Sequence, residues 1–199
     1  MKSKFFAAFL CSAVFIVGSA LAGSVKEYSA DVVNVKSGRV MQKLAVTPDK
    51  IFSESFDASG KREALAIVRL DRNTMYVFME ETRSYMEIPF SKEQFTSTGL
   101  NMNAVQTKQE KVGTETVAGY ASTKYLQTTT VMGTSVTSLH WVAPEFDPMP
   151  IRSEVNGEFF EMRNIKTGAQ NAALFEVPKG YTRDKAMEGM MKSMMTGKK

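Results

Sequence analysis

Residues 63–80 read EALAIVRL, DRN and TMYVFME in succession, which are two β-rich runs joined by a tight turn. Successive side chains of a strand point to opposite faces of its sheet, and in both runs the side chains on both faces are apolar. A sheet with one face in water alternates apolar and polar residues instead. We therefore expect both faces of these strands to be covered, either by helices that pack on one side or by a sheet that curls around an apolar interior.

Similar β-rich runs lie on both sides of this segment. Turn signals such as the DASG sequence at 57–60 separate them. Connections this short favour antiparallel neighbours, because a parallel crossover needs about a dozen residues or more. The first half of the chain is therefore predicted to be a meander. The predicted strands cover residues 28–35, 39–46, 51–56, 63–70, 74–80, 84–88, 108–112, 120–130, 135–142, 151–155, 158–165 and 174–177.

Two segments depart from the strand pattern and are predicted to be helical. Residues 91–106 begin with Ser91, a favourable N-cap residue, and are expected to form a helix that covers the sheet. Near the C-terminus, methionines recur at the i, i+3, i+4, i+7 and i+8 positions that share one helix face. The predicted class is α+β and mostly β. The methionines are Met187, Met190, Met191, Met194 and Met195.

The N-terminal 22 residues have the layout of a secretory signal peptide. Lys2 and Lys4 precede an apolar run over 5–17, and small residues occupy the peptidase positions Ala20 and Ala22. The run is shorter than the roughly 20 apolar residues that a spanning helix needs. We expect cleavage after Ala22 and a periplasmic location, with a retained membrane anchor as the alternative.

Composition excludes several classes of function. The single cysteine of the chain lies within the predicted signal peptide, so residues 23–199 can form neither a disulfide nor a cysteine-ligated metal centre. The 25 basic residues exceed the 21 acidic ones only slightly and are interspersed with them. Nucleic-acid binding needs a basic stripe, so no nucleic-acid partner is expected.

Two stretches of the second half carry a family resemblance. They are GTETVAGYASTKY at 113–125 and LFEVPKGY at 174–181. Together with the strand order, they resemble a domain-of-unknown-function family in the superfamily of the periplasmic lipoprotein carrier LolA and its partner LolB. The resemblance implies a curved antiparallel sheet, a half-open β-barrel, with covering helices. Together with the N-terminal layout and the methionine pattern, it divides the chain into a signal peptide (1–22), a half-barrel domain (23–181) and a methionine-rich basic helix or tail (182–199).

In the carriers of this superfamily an apolar concavity holds acyl chains. The resemblance therefore implies that this chain binds a lipid or another apolar ligand in the same way, although it lacks the amphipathic helix that precedes the first strand in those carriers. The residues expected to line or cover the interior are Val68, Met75, Val77, Met79, Tyr125 and Trp141.

The methionine-rich tail supports several alternatives. The helix would dock its methionines on the barrel, or the segment would remain a lightly ordered tail. Methionine thioethers select Cu(I), so copper or silver handling is a second hypothesis for the whole protein. Lysines beside an apolar face would also suit an anionic membrane surface. A third hypothesis is that this chain is an interaction or envelope-structural protein whose tail helix docks on a partner protein.

No catalytic arrangement emerges from the sequence. The only histidine, His140, has no partner at metal-ligand spacing and is expected to be an ordinary strand residue. Glu80 and Glu81 are adjacent, so in a strand they would face opposite sides and could not act as a pair. The chain contains neither a phosphate-binding glycine loop nor an HExxH motif. The protein is therefore predicted not to be an enzyme, and no resident cofactor is expected.

Overall fold

A computed structural model of the chain describes residues 26–90, 95–96, 99–100, 105–131, 134–147 and 149–196. The predicted signal peptide lies outside this range. Strands dominate the described residues, which confirms the expected class. The strands are β1 Tyr28–Asn34, β2 Val40–Thr47, β3 Lys50–Phe56, β4 Arg62–Arg69, β5 Thr74–Met79, β6 Ser84–Pro89, β7 Phe95–Thr96, β8 Gly99–Leu100, β9 Val105–Val117, β10 Tyr120–Val131, β11 Thr134–Val142, β12 Arg152–Val155, β13 Glu158–Thr167 and β14 Thr182–Arg183.

Twelve of the strands form one curved, open sheet. Their order within the described residues is β14-β6-β5-β4-β3-β2-β1-β13-β12-β11-β10-β9. Strands β1 to β6 are a meander of antiparallel neighbours, as the short connections predicted. A second meander runs from β9 to β13, and the two meet where β1 pairs with β13. β14 is parallel to β6 at one edge of the sheet.

Apolar clusters cover both faces of the central strands, as residues 63–80 predicted. The larger cluster includes Tyr28, Val68 and Val77, and we call its side of the sheet the inner face. The smaller cluster contains Leu65, Ile67 and Phe78 on the opposite, outer face. Leu174, Phe175 and Tyr181 from the C-terminal segment complete the outer cluster. An irregular strap of chain, rather than a helix, therefore covers the outer face.

Two expectations for individual elements were wrong. Residues 174–177 are not a strand, because Ala172–Phe175 form a 3-10 turn whose Ala173 amide donates to the Asn171 side chain at 3.0 Å. Residues 95–96 and 99–100, within the segment expected to be helical, pair with each other as a two-stranded hairpin. The other residues of 91–104 lie outside the described part of the chain.

Ion pairs fasten the C-terminal strap to the outer face. Arg69 is buried and donates to Asp71, to Glu176 at 2.6 Å and to the carbonyl of Phe175 at 3.1 Å. Tyr181 donates to Glu80, which also pairs with Arg62 at 2.8 Å. Burial alone would raise the pKa of Glu80, but the hydrogen bonds from Tyr181 and Arg62 outweigh it and keep that pKa below its ordinary value.

The predicted methionine-rich helix is present as α1, Lys185–Thr196. Asp184 is its N-cap, since the Asp184 side chain accepts a hydrogen bond from the Met187 amide at 2.9 Å. Glu188 accepts from the Glu87 amide at 2.7 Å and pairs with Arg183, which places the first turn of α1 beside the β6 edge. None of the helices in the described residues is long and apolar enough to span a membrane.

Candidate ligand-binding face

The inner face is apolar at the end of the sheet where β1 begins. Cross-strand pairing places one residue from each strand of the first meander in a single row, and every member of this row is buried. We call this row the floor. Its residues are Tyr28, Val46, Ile51, Val68, Met75 and Ile88.

The loop after β11 closes this end of the inner face. Phe146 is buried, and its ring makes edge-on contacts with Tyr28 at 5.2 Å and with Tyr120 at 4.8 Å. The Tyr28 hydroxyl donates to the Phe146 carbonyl at 2.9 Å. Burial of that hydroxyl raises the pKa of Tyr28 well above its ordinary value. Tyr28 is therefore a neutral hydrogen-bond donor that fixes the loop.

Farther from the floor, the inner face becomes polar. Asn34, Phe160, Ser153, His140 and Tyr125 follow one another across five paired strands. The next row includes Ser138 opposite Gln127. We call the buried polar side chains of this region the polar belt. They are Asn34, Gln42, Ser53, Gln127, Thr129, Ser138, His140 and Ser153.

His140 is fully buried between two serine hydroxyls. Its Nε2 atom lies 2.7 Å from Ser138 Oγ, and its Nδ1 atom lies 2.9 Å from Ser153 Oγ. Burial lowers the pKa of His140 to about 4. The ring is therefore neutral near pH 7, so that one ring nitrogen donates and the other accepts.

Gln42 belongs to the same belt on the other side of β1. It is 4% exposed, and its Nε2 atom donates to Ser53 Oγ at 2.6 Å. The Gln42 Oε1 atom is buried and has no hydrogen-bond partner among the described residues. A buried acceptor without a partner costs about 1–3 kcal/mol, so Gln42 is a site at which an external donor would be stabilised.

Within the described residues, no buried strand residue of the inner face is charged, although the loop that closes this face carries the half-buried Glu145 and Asp147. Arg69 is the one buried charged residue among them, and its partners Asp71 and Glu176 place it on the outer face. The inner face thus combines an apolar floor with a polar but uncharged belt. Chemically, such a surface suits a molecule that has a hydrocarbon part and a neutral hydrogen-bonding part.

The structure brings together most of the residues predicted to line the interior. Val68, Met75 and Val77 are buried members of the inner cluster, and Met79 packs against it. Which of the six predicted residues contacts a ligand stays a prediction.

Tyr125 and Trp141 lie on opposite sides of their strands. Tyr125 is half-buried on the inner face opposite His140. Trp141 packs against the inner cluster, but it pairs with Lys124, the neighbour of Tyr125 in β10, so its side chain leaves the sheet on the other side. The Lys124 ammonium lies 4.7 Å from the centroid of the indole ring. Its indole N–H donates to Glu115 at 2.7 Å.

The predicted methionine residues have different surroundings. Met187 packs against the inner cluster, whereas Met190 is 55% exposed. The side chains of Met191, Met194 and Met195 lie outside the described part of the structure. Among the described residues, no three His, Cys, Asp or Glu side chains are grouped so that they could hold a metal ion. Copper binding through the methionines stays a prediction.

Sequence reasoning missed the polar belt. The only available signal was the alternation of Ser138 and His140 along a β-rich run, which places both side chains on one face. Ser53, Gln42 and Ser153 come from three other strands, so only the pairing of the strands reveals that they share this face.

A depression lies on the outer face, beside the C-terminal strap. It encloses about 690 Å³ between strands β1 to β3, the end of β13 and residues 170–174. Its wall mixes apolar groups such as Phe52 and Leu174 with charged groups such as Asp31 and Lys43. It lacks the separation of apolar and polar parts that distinguishes the inner face.

The fold and this face define an open, curved β-sheet domain with an amphipathic interior. The model of a family described as a domain of unknown function, DUF4412, matches residues 36–149. Because the match covers more than half of the 199 residues, the chain belongs to this family. No curated protein matches the chain.

Several solved structures are similar to the chain over most of its length. An uncharacterized conserved protein from Thermus thermophilus covers 92% of this chain and 99% of its own, at 11% identity and a TM-score of 0.49. The lipoprotein LppX of Mycobacterium tuberculosis covers 85% and 99%, at 12% identity and a TM-score of 0.35. A putative exported protein with a YmcC-like fold from Bacteroides fragilis covers 77% and 99%, at 14% identity and a TM-score of 0.32. At these values the likenesses assign no ligand to this chain.

Proposed function

We propose that the protein binds a lipid or a similar amphiphile on the inner face of its curved sheet. The observation that carries the proposal is the separation of an apolar floor from a polar belt on one continuous face. Burial of apolar ligand surface against the floor contributes roughly 25 cal/mol per Å². The same residues offer no catalytic grouping that we recognise, and the proposed role is non-catalytic binding.

The proposed place of action is the periplasm. Its support is the layout of residues 1–22, where a charged start, an apolar run and the small residues Ala20 and Ala22 follow in order. A protein that holds an amphiphile in this compartment would carry or sense envelope lipids. Sequencing the N-terminus of the protein recovered from a periplasmic extract tests the location, and the expected first residue is Gly23.

Native mass spectrometry tests the binding function. The protein is expressed from the full-length sequence in its own host and purified without detergent. We expect an adduct of several hundred daltons that fragments as a lipid. Ala66 lies between Ser53 and Val77 on the inner face, so Ala66→Phe should lower adduct occupancy about fivefold or more by placing a bulky ring where the ligand would lie.

Ala121→Phe is the matched control, because Ala121 is exposed on β10. Both variants are first checked for a native circular dichroism spectrum. Equal occupancy in the two folded variants would contradict binding on the inner face. A bare polypeptide mass from the wild-type protein, together with failure to take up added palmitate or monopalmitoylglycerol, would contradict the function itself.

A further inference from the structure

The belt residues of the inner face are polar without being charged. Ser138, His140 and Ser153 are each at most 4% exposed and form one hydrogen-bonded array. Gln42 and Ser53 form a second polar group on the first meander, with Val32 of β1 and Met162 of β13 between Gln42 and the rest of the second meander. Charged side chains on the inner face, such as Glu158 and Lys111, are exposed at its margins.

Placing a charged headgroup against such a surface would be unfavourable. A buried charge without an opposite charge loses several kcal/mol of hydration free energy, which dipoles of hydroxyl and amide groups only partly replace. An uncharged headgroup loses far less. The belt is therefore expected to favour uncharged headgroups over charged ones, whatever their shape.

The Gln42 side chain specifies the ligand group further. Its Oε1 atom can only accept a hydrogen bond, and within the described residues nothing donates to it. An ester or ether lacks the required donor, whereas a hydroxyl or an amide N–H supplies one. The residue is nine-tenths buried or more, so bulk water satisfies this acceptor poorly.

We propose that the polar belt selects amphiphiles whose headgroup is uncharged and carries a hydroxyl, such as acylglycerols, with Gln42 Oε1 accepting from that hydroxyl. This inference rests on the proposed function and specifies its ligand class. The hydrocarbon chain lies over the floor. The hydroxyl-bearing end lies at Gln42, beside Ser53.

A competition experiment tests the inference. The purified full chain is loaded with the uncharged fluorescent probe N-phenyl-1-naphthylamine, which is then displaced by monopalmitoylglycerol, methyl palmitate, palmitate or hexadecyltrimethylammonium. We expect monopalmitoylglycerol to compete about tenfold better than either charged amphiphile, and about fivefold better than methyl palmitate, which has no donor.

Two variants test whether Gln42 is the source of the preference for monopalmitoylglycerol. Gln42→Leu removes the acceptor at similar volume and should reduce the advantage of monopalmitoylglycerol over methyl palmitate to about twofold or less. Gln106→Leu, on the exposed part of β9, is the matched control and should keep it. Should Gln42→Leu fail to fold, Ser53→Ala serves instead, since it removes the group that orients Gln42.

The outcomes separate the inference from the function. If neither the probe nor any competitor binds, the proposed function is wrong and the inference falls with it. If the probe binds but charged and uncharged competitors are equivalent, the inference is wrong and lipid binding stands. If selectivity is present but unchanged in both Gln42→Leu and Ser53→Ala, its assignment to the belt is wrong.

Discussion

His140 shows how burial fixes the protonation state of a single residue. Its two ring nitrogens are held by Ser138 and Ser153, and burial lowers its pKa to about 4 from an ordinary value near 6.5. The unfolded chain therefore takes up a proton at a pH where the folded protein does not. Protonation in that range favours the unfolded state.

We predict that the free energy of unfolding decreases as the pH falls from 7 to 5. The pKa of His140 is lower in the folded protein than in the unfolded chain. The stability that the neutral ring contributes is therefore fully present above about pH 6.5 and is lost as the pH falls toward 4. The loss at pH 5 is roughly 2 kcal/mol. Urea unfolding at pH 7, 6 and 5 measures it.

His140→Asn is the control for this prediction. His140 is the only histidine in the chain, so the variant has no side chain with an ordinary pKa in this range. The variant is expected to be less stable at pH 7 but to lose little further stability down to pH 5. Parallel pH profiles for the wild-type protein and the variant would contradict the prediction.

The sequence predicted two residues of the apolar floor, Val68 and Met75, to line the interior, but none of the belt, and the reason lies in particular residues. Val68, Met75 and Val77 stand out because apolar residues there occupy both faces of adjacent strands. Gln42 and Ser53 look like ordinary solvent-facing positions of a half-polar strand. Both are nevertheless buried, which depends on tertiary packing that the local sequence pattern does not encode.

At the scale of elements, the stability of α1 depends on the contacts of its first turn. A helix of twelve residues with Gly189 inside it is marginal alone, so its end must be fixed by capping and by packing. The Asp184 side chain satisfies the Met187 amide, and Glu188 accepts from the backbone of β6. The helix is thereby joined to the sheet edge at its N-terminus.

Asp184→Ala should therefore loosen α1 while leaving the sheet intact. Loss of the cap costs about 1 kcal/mol. We expect the amide protons of α1 to exchange about fivefold faster, with little change in β1 to β6, in a hydrogen-exchange measurement. Asp184→Asn is the matched control, because asparagine caps nearly as well. Equal exchange rates in the two variants would contradict the role of the cap.

Element prediction succeeded where local chemistry and tertiary packing agree. The turn at residues 57–60 and the meander of β1 to β6 follow from turn residues and short connections. The prediction of a strand at 174–177 was wrong because Phe175 is an apolar residue that packs in the outer cluster with Leu65 and Ile67, not one that belongs to a β-strand. β9 is longer than predicted because an edge strand rich in Lys, Glu and Thr lacks the apolar alternation that signals a strand.

At the scale of the whole molecule, Phe146 connects the two meanders. Its ring touches Tyr28 at the start of β1 and Tyr120 at the start of β10. These strands are four places apart in the sheet, so the contact spans the curve rather than neighbouring strands. Phe146 therefore stabilises the curvature that forms the inner face.

Phe146→Ala is expected to lower the free energy of unfolding by about 3–5 kcal/mol, because it leaves a cavity between two aromatic rings. Phe159→Ala, in which the ring is 43% exposed, should cost under about 1 kcal/mol. Equilibrium urea unfolding of both variants measures the difference. Equal costs would show that Phe146 does not bridge the halves of the sheet.

The pairing of Tyr28 with Thr167 also constrains the order in which the chain can fold. During synthesis the N-terminal strands β1 to β6 can pair early. The other edge of β1 stays unpaired until β13 has been synthesised. Such non-local pairing slows folding, and an open strand edge invites association with other chains. A polypeptide cut before Glu158 therefore retains at β1 a seven-residue unpaired edge that a second copy can occupy.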